Sequence, residues 1–120
     1  MNVRHMCTTK EDLIEKYISI IKKQVAAEKV MMYSKSFCPF CFKVENFFRH
    51  NHVKFKEVLC DLEEDGNDYI EALKVYTNRK TVPNIFINGK NIGGASEMFE
   101  LHEKGELVPI LDAAGLKHLL

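Results

Sequence analysis

The 120-residue chain carries no formal net charge, because 17 lysines and arginines balance 17 aspartates and glutamates. That balance argues against the basic excess of a nucleic-acid binder and against an acidic docking arm. Cysteine is scarce and unevenly spread. The four thiols, Cys7, Cys38, Cys41 and Cys60, do not make the framework of a small secreted scaffold. No apolar run is long enough to span a membrane. The amino terminus lacks a signal-peptide core, and Glu11, Asp12 and Glu15 come too early for an acidic-poor transit peptide. Repeats, low-complexity segments and dividing linkers are also missing. The expectation is one domain over residues 1–120, working as a monomer in the reducing cytoplasm, with no nucleic-acid or membrane partner.

What is present is concentrated at Cys38-Pro39-Phe40-Cys41. Two thiols two residues apart make a reversible disulfide switch. The motif follows an apolar run, Val30–Ser34, and precedes a helical pattern carrying Val44, Phe47 and Phe48. A cysteine at such a strand-to-helix junction meets the first unpaired N–H groups of the helix and the positive end of its dipole. Both favour the thiolate, which is the reactive form. Proline suits the first helical turn, where its missing N–H costs nothing. Cys41 then falls one turn along the same face, within reach of the first sulfur. Two duller readings remain. Half of a zinc site would need His50 and His52, at a spacing outside the usual finger pattern, so no metal site is expected. Alternatively, both cysteines are buried and inert.

Around this motif the pattern reads α-β-α-β-α-β-β-α-α. Residues 1–8 read as a loose tail. Thr8 and Glu11 have capping-box spacing and open a helix over 9–27 with an apolar stripe through Leu13, Ile14, Tyr17, Ile18, Ile21 and Val25. A strand over 29–34 precedes the Pro39–His50 helix. Residues 54–60 read as a strand without clean alternation, and a helix follows the acidic turn Glu63-Glu64-Asp65-Gly66. Asn84–Ile87 and Lys90–Ile92 make a hairpin around Asn88-Gly89, a pair suited to a type I′ turn. Ser96 caps the next helix, Gly105 ends it, and a last helix runs from Leu107 to Ala114 with Pro109 in its first turn. Parallel pairing across the βαβ unit, plus the hairpin, gives a mixed four-stranded sheet with helices on both faces.

Three further segments bear on function. Thr81-Val82-Pro83 precedes the third strand; a cis proline there would offer the Val82 backbone to an extended substrate, while a trans proline starting a strand is the commoner form. Gly93-Gly94-Ala95-Ser96-Glu97 leads into a helix N-terminus, read equally well as a carboxylate site or as a plain turn with a cap. Lys35, Arg79 and Lys80 offer positive charge, although surface cations are usually just solvated.

Together, Lys35–Cys41, Thr81–Gly89 and Ile92-Gly93-Gly94 resemble the glutaredoxin family, the glutathione-dependent branch of the thioredoxin fold, over about Lys29 to Leu119. The resemblance implies an α/β thioredoxin-like (glutaredoxin) fold, here with an extra N-terminal helix. It implies a dithiol oxidoreductase with Cys38 as nucleophile and Cys41 as resolving thiol. Glutathione is the implied cosubstrate, and glutathionylated or disulfide-containing proteins are the implied partners. The Val82 backbone, before a cis Pro83 and beside Thr81, would pair with the cysteinyl part of glutathione. Lys35 and Arg79 would hold its glycine carboxylate. Past Gly94, the Ala95 and Ser96 N–H groups would take the γ-glutamyl carboxylate, with Ser96 or Glu97 near its amino group. Phe40 stands where many dithiol members have tyrosine, keeping the apolar shield. Arg79 stands where glutamine is frequent, and Ala95-Ser96-Glu97 lacks a frequent aspartate. Cys60 reads as a buried strand end and Cys7 as incidental. The rival from another class is a glutathione-ligated iron–sulfur cluster carrier, which Pro39 argues against because cluster-assembling members more often have a small or flexible residue there.

Overall fold

The computed structural model describes residues 9–120. The expected tail, Thr8 and Cys7 lie outside that range. The first helix, α1 (Lys10–Ala27), is capped one residue later than the spacing of Thr8 and Glu11 suggests. Thr9 Oγ1 accepts from the Asp12 N–H at 3.0 Å, and the Thr9 N–H donates back to Asp12 Oδ2 at 3.3 Å. Two threonines stand before two acidic residues, so both registers satisfy the capping pattern and the helix uses the inner one.

β1 (Val30–Ser34) follows, then α2 (Pro39–His50), β2 (Lys56–Leu59), α3 (Gly66–Thr77), β3 (Asn84–Ile87), β4 (Lys90–Gly93), α4 (Ala95–Glu103) and α5 (Leu107–Ala113). The strands form one sheet in the order β2-β1-β3-β4. β1 pairs parallel with β2 and antiparallel with β3, and the hairpin adds β4 at the other edge. Asn88 and Gly89 adopt positive φ, as the two-residue turn requires.

All five residues of β1 are buried. Val30 and Met32 point into a core with Val44 and Phe48 of α2, Met98 of α4 and Leu107 and Leu111 of α5. Met31 and Tyr33 point the other way, against Tyr17, Ile21 and Val25 of α1 and Ile70 and Leu73 of α3. The period-2 alternation of a strand thus supplies both cores from one segment. The second core also carries polar ties: Tyr33 Oη donates to Gln24 Oε1 at 2.7 Å, and Gln24 Nε2 donates to Tyr69 Oη at 2.9 Å.

Some boundaries differ from the sequence expectation. The second strand starts at Lys56, because the Val53 N–H is engaged by the Phe48 carbonyl at the end of α2 (2.8 Å). α4 begins at Ala95 with Gly94 as its cap, so Ser96 lies inside the first turn. Glu97 sets that start by accepting the Gly94 N–H at 2.8 Å.

Gly66 opens α3 where the chain passes directly over the end of β2. A β-carbon there would lie 1.6 Å from the Cys60 carbonyl oxygen. Gly66→Ala is therefore expected to destabilise the fold by about 1–3 kcal/mol, the range for forced overpacking, measured as a lower urea midpoint at unchanged slope.

Candidate functional site

Cys38 is the N-cap of α2, with extended backbone (φ −132°, ψ 106°), and its carbonyl accepts the first helical N–H, from Phe42, at 3.0 Å. Its side chain turns back over the helix end. The Cys41 N–H donates to Cys38 Sγ at 3.1 Å, and Sγ lies 3.7 Å from the Val82 carbonyl oxygen. A backbone N–H aimed at sulfur supports negative charge on it. The loop before Cys38 is fixed by a contact that sequence reasoning missed. Asp61, just past β2, accepts from the Ser36 N–H at 2.8 Å and from the Ser36 hydroxyl. Those two bonds hold the Asp61 carboxyl below the ordinary aspartate range.

The two thiols are unlike. Both are free, with Cys38 half-buried and Cys41 only 1% exposed. Burial first, then the hydrogen bond to Cys38, pushes the Cys41 thiol well up. One sulfur is presented and the other is stored protonated beneath it. Cys60 is also buried, and burial raises its thiol to about 11. That fits the bland expectation for it.

Beside Cys38 runs a groove of about 290 Å³ lined by Phe40, Arg79, Thr81, Val82, Pro83, Gly94, Ala95, Ser96 and Glu97. The Val82–Pro83 peptide bond is cis, the form that composition alone disfavoured. Arg79 is placed through its backbone: its carbonyl accepts from Asn84 Nδ2 at 3.5 Å, and Asn84, itself buried, also donates to Thr77 Oγ1 at 3.0 Å. The Arg79 guanidinium pairs with Glu97 at 3.1 Å. The Gly94 N–H first, then the backbone N–H of Glu97 itself and then Arg79, hold the Glu97 carboxyl below the ordinary glutamate range. A β-carbon on Gly94 would come within 3.2 Å of both the Arg79 guanidinium and the Pro83 carbonyl, so the backbone closes tightly here. The N–H groups of Ala95 and Ser96, in the first turn of α4, have no carbonyl one turn back to bind. Lys35 stands apart from this set. It is exposed and outside the groove lining, with its ammonium toward Cys60 and Asp61.

A larger cavity of about 790 Å³ lies where β1 begins, lined by residues such as Lys29, Arg49, Lys54 and Phe55. It is at the opposite end of the strand from Cys38 and holds no cysteine, so the thiol chemistry belongs to the smaller groove. Among the described residues, no group of three or more His, Cys, Asp or Glu side chains is arranged to hold a metal ion.

Two buried polar atoms on the parallel pair β1 and β2 were passed over by the sequence reading. Ser34 Oγ and Glu57 Oε2 are the buried side-chain polar atoms left without a hydrogen-bond partner among the described residues. Burial first, then the neighbouring Glu45, raises the Glu57 carboxyl to about 7. The one available signal was the broken alternation of the strand around Glu57.

The glutaredoxin family profile matches residues 30–92. The chain is 46% identical over 94 residues to glutaredoxin-C6 of Oryza sativa subsp. japonica, covering 78% of this chain and 84% of that one. It is similar to the crystal structure of a buckwheat glutaredoxin–glutathione complex, with 32% identity and a TM-score of 0.86 over 89% of this chain and 97% of that one. Wheat glutaredoxin is 40% identical with a TM-score of 0.81, over 84% of this chain and 97% of that one.

Because its folded pKa is raised, Glu57 contributes its full stability below the ordinary glutamate value of 4.5 and loses that contribution as pH rises through about 7. Glu57→Gln is therefore expected to unfold at a higher temperature than wild type above pH about 7, with the two converging below pH about 4.5. Thermal melts across that range check it.

Proposed function

The chain belongs to the glutaredoxin family of thiol–disulfide oxidoreductases, and on that premise we propose that it uses glutathione to reduce protein–glutathione mixed disulfides through Cys38 alone and protein disulfides through Cys38 and Cys41 together. The observation that carries this reading is the pair of unlike sulfurs. Cys38 is presented beside a groove and takes an N–H from Cys41 at 3.1 Å, while Cys41 is buried directly behind it.

In the monothiol route the Cys38 thiolate attacks the glutathione sulfur of the mixed disulfide. A Cys38–glutathione disulfide forms, and the electron pair leaves on the protein thiolate. A second glutathione thiolate then attacks that disulfide, releasing oxidised glutathione and returning Cys38 as thiolate. In the dithiol route Cys38 attacks a protein disulfide, and Cys41 displaces the bound protein to leave a Cys38–Cys41 disulfide. Burial keeps Cys41 from competing as the first nucleophile.

The groove has the shape and chemistry for a glutathionyl group. In this reading the Val82 backbone pairs with its cysteinyl unit beside Thr81 and Pro83, with Phe40 shielding the sulfur. Arg79 takes the glycine carboxylate, sharing its charge with Glu97. The first N–H groups of α4, on Ala95 and Ser96 after Gly94, take the γ-glutamyl carboxylate, and Glu97 or Ser96 lies toward the amino group. Lys35, outside the groove, contributes long-range attraction. The expected setting is the cytoplasm, where glutathione keeps thiols reduced, and the expected working form is the monomer.

Reduction of a glutathionylated peptide by wild type, Cys38→Ser and Cys41→Ser tests the assignment. Cys38→Ser is expected to fall to background in both routes. Cys41→Ser is expected to keep deglutathionylation and lose reduction of protein disulfides; loss of both would refute the division of labour. Arg79→Gln is expected to raise KM for the glutathionylated peptide about fivefold at unchanged kcat, the ~1 kcal/mol of a partly exposed charged contact.

A further inference from the structure

The cavity at the start of β1 encloses about 790 Å³, the size of a small-molecule site, and the thiol chemistry leaves it unused. Its rim is one-sided in charge. Lys29, Arg49, Lys54 and Lys117, together with His52, line it against a single acid, Glu28. The whole chain is neutral, so this excess is local. The balancing acids Asp61, Glu63, Glu64 and Asp65 gather past the far end of β2. The basic groups come together from four segments: the residue before β1, the last turn of α2, the connection to β2, and the chain after α5. Among the described residues, none of the four lysine and arginine side chains is in an ion pair. Lys29 instead donates to the Gly115 carbonyl at 3.4 Å, and the Arg49 guanidinium lies 5.4 Å from the centre of the Phe55 ring.

The walls are tied by backbone. The Leu119 N–H donates to the Asn51 carbonyl at 2.9 Å, which joins the segment bearing Lys117 to the one bearing His52. Both segments turn through positive φ, at Gly115 (71°) and at His52 (58°). The second is a conformation that costs a residue with a side chain, and such residues cluster at functional sites. The floor is apolar: Val30 and Val53 are 1% and 3% exposed, and Phe55 and Leu116 pack against the same core.

We propose that this cavity binds an aromatic organic phosphate of nucleotide size, with its ring on the surface of Val53, Phe55 and Leu116 and its phosphates among Lys29, Arg49, Lys54 and Lys117. Gathered like charges repel, and a bound ligand with two or more negative charges relieves that cost. A guanidinium beside three ammonium groups suits phosphate oxygens, which accept both the planar fork and the point charge. An inorganic anion would leave the apolar floor uncovered, and an acidic peptide brings charge without a flat apolar body to cover it.

The test is calorimetric titration of the reduced protein at low ionic strength with ADP, and separately with its two halves, pyrophosphate and adenosine. ADP is expected to bind at one site, about tenfold tighter than either half, the gain from burying one ring face. Lys54→Gln and Lys117→Gln are each expected to weaken ADP about fivefold, the scale of a partly exposed charge contact. Arg79→Gln, in the groove beside Cys38, and Lys74→Gln, on α3, are expected to leave ADP affinity at the wild-type value. Absence of saturable ADP binding would overturn the proposal. Equal affinity for ADP and pyrophosphate would overturn it too, by reducing the cavity to a patch of charge. Weakening in Arg79→Gln but not in the two cavity variants would do the same, by placing the anion in the thiol groove. A hexaglutamate peptide that binds more tightly than ADP through Lys54 and Lys117 would assign the surface to an acidic protein partner instead, against the proposal.

Discussion

The burial of β1 on both faces is the constraint on which the rest depends. Val30 and Met32 fill one core and Met31 and Tyr33 the other, so the strand cannot shift by one residue without exchanging its two sets of side chains. Its end point is therefore fixed, and with it the short loop that delivers Cys38 to the start of α2. Phe48 and Val44 lock α2 onto the same strand. The position of the Cys38 sulfur thus follows from core packing. Asp61 then ties Ser36, in the loop, to the end of β2, so three independent restraints converge on one thiol.

Given that frame, the difference between the two cysteines follows from helix geometry. The N-cap residue lies half outside the helix, and Cys38 is accordingly half-buried. A residue three positions on faces inward with the next turn, and Cys41 is accordingly buried. One short motif thereby holds one sulfur that meets solvent and one that meets the core. The proposed dithiol route uses both properties, because a resolving thiol that ionised freely would compete with the attacking one.

The sequence made legible what is local. The order of elements, the Asn88-Gly89 turn and the strand–loop–helix placement of the cysteines depend on residues close together in the chain, and each appears in the structure as read. The groove was legible through the family resemblance: of the residues that it implies for glutathione, all but Lys35 line one groove. What escaped depends on how separate elements and loops meet. Asp61 against Ser36 joins segments 25 residues apart, and Asn84 against the Arg79 carbonyl joins a strand to the loop before it. Neither contact carries a periodicity that would announce it. The helix starts at Thr9 and Gly94 were misplaced by one and two residues for a different reason. Several side chains there satisfy the same capping chemistry, and only the packed helix selects among them.

Glu57 on β2 departs from the ordinary chemistry of an edge strand. A glutamate on an edge strand is ordinarily a solvated residue, and edge strands commonly carry charge that discourages further pairing. Here one carboxyl oxygen is buried without a hydrogen-bond partner, and burial first, then Glu45, raises its affinity for a proton. Fold stability alone would favour a neutral side chain of similar size at that position. The ordinary rule for edge strands thus fails at this position for a tertiary reason, because burial takes one carboxylate oxygen away from water without supplying a partner for it.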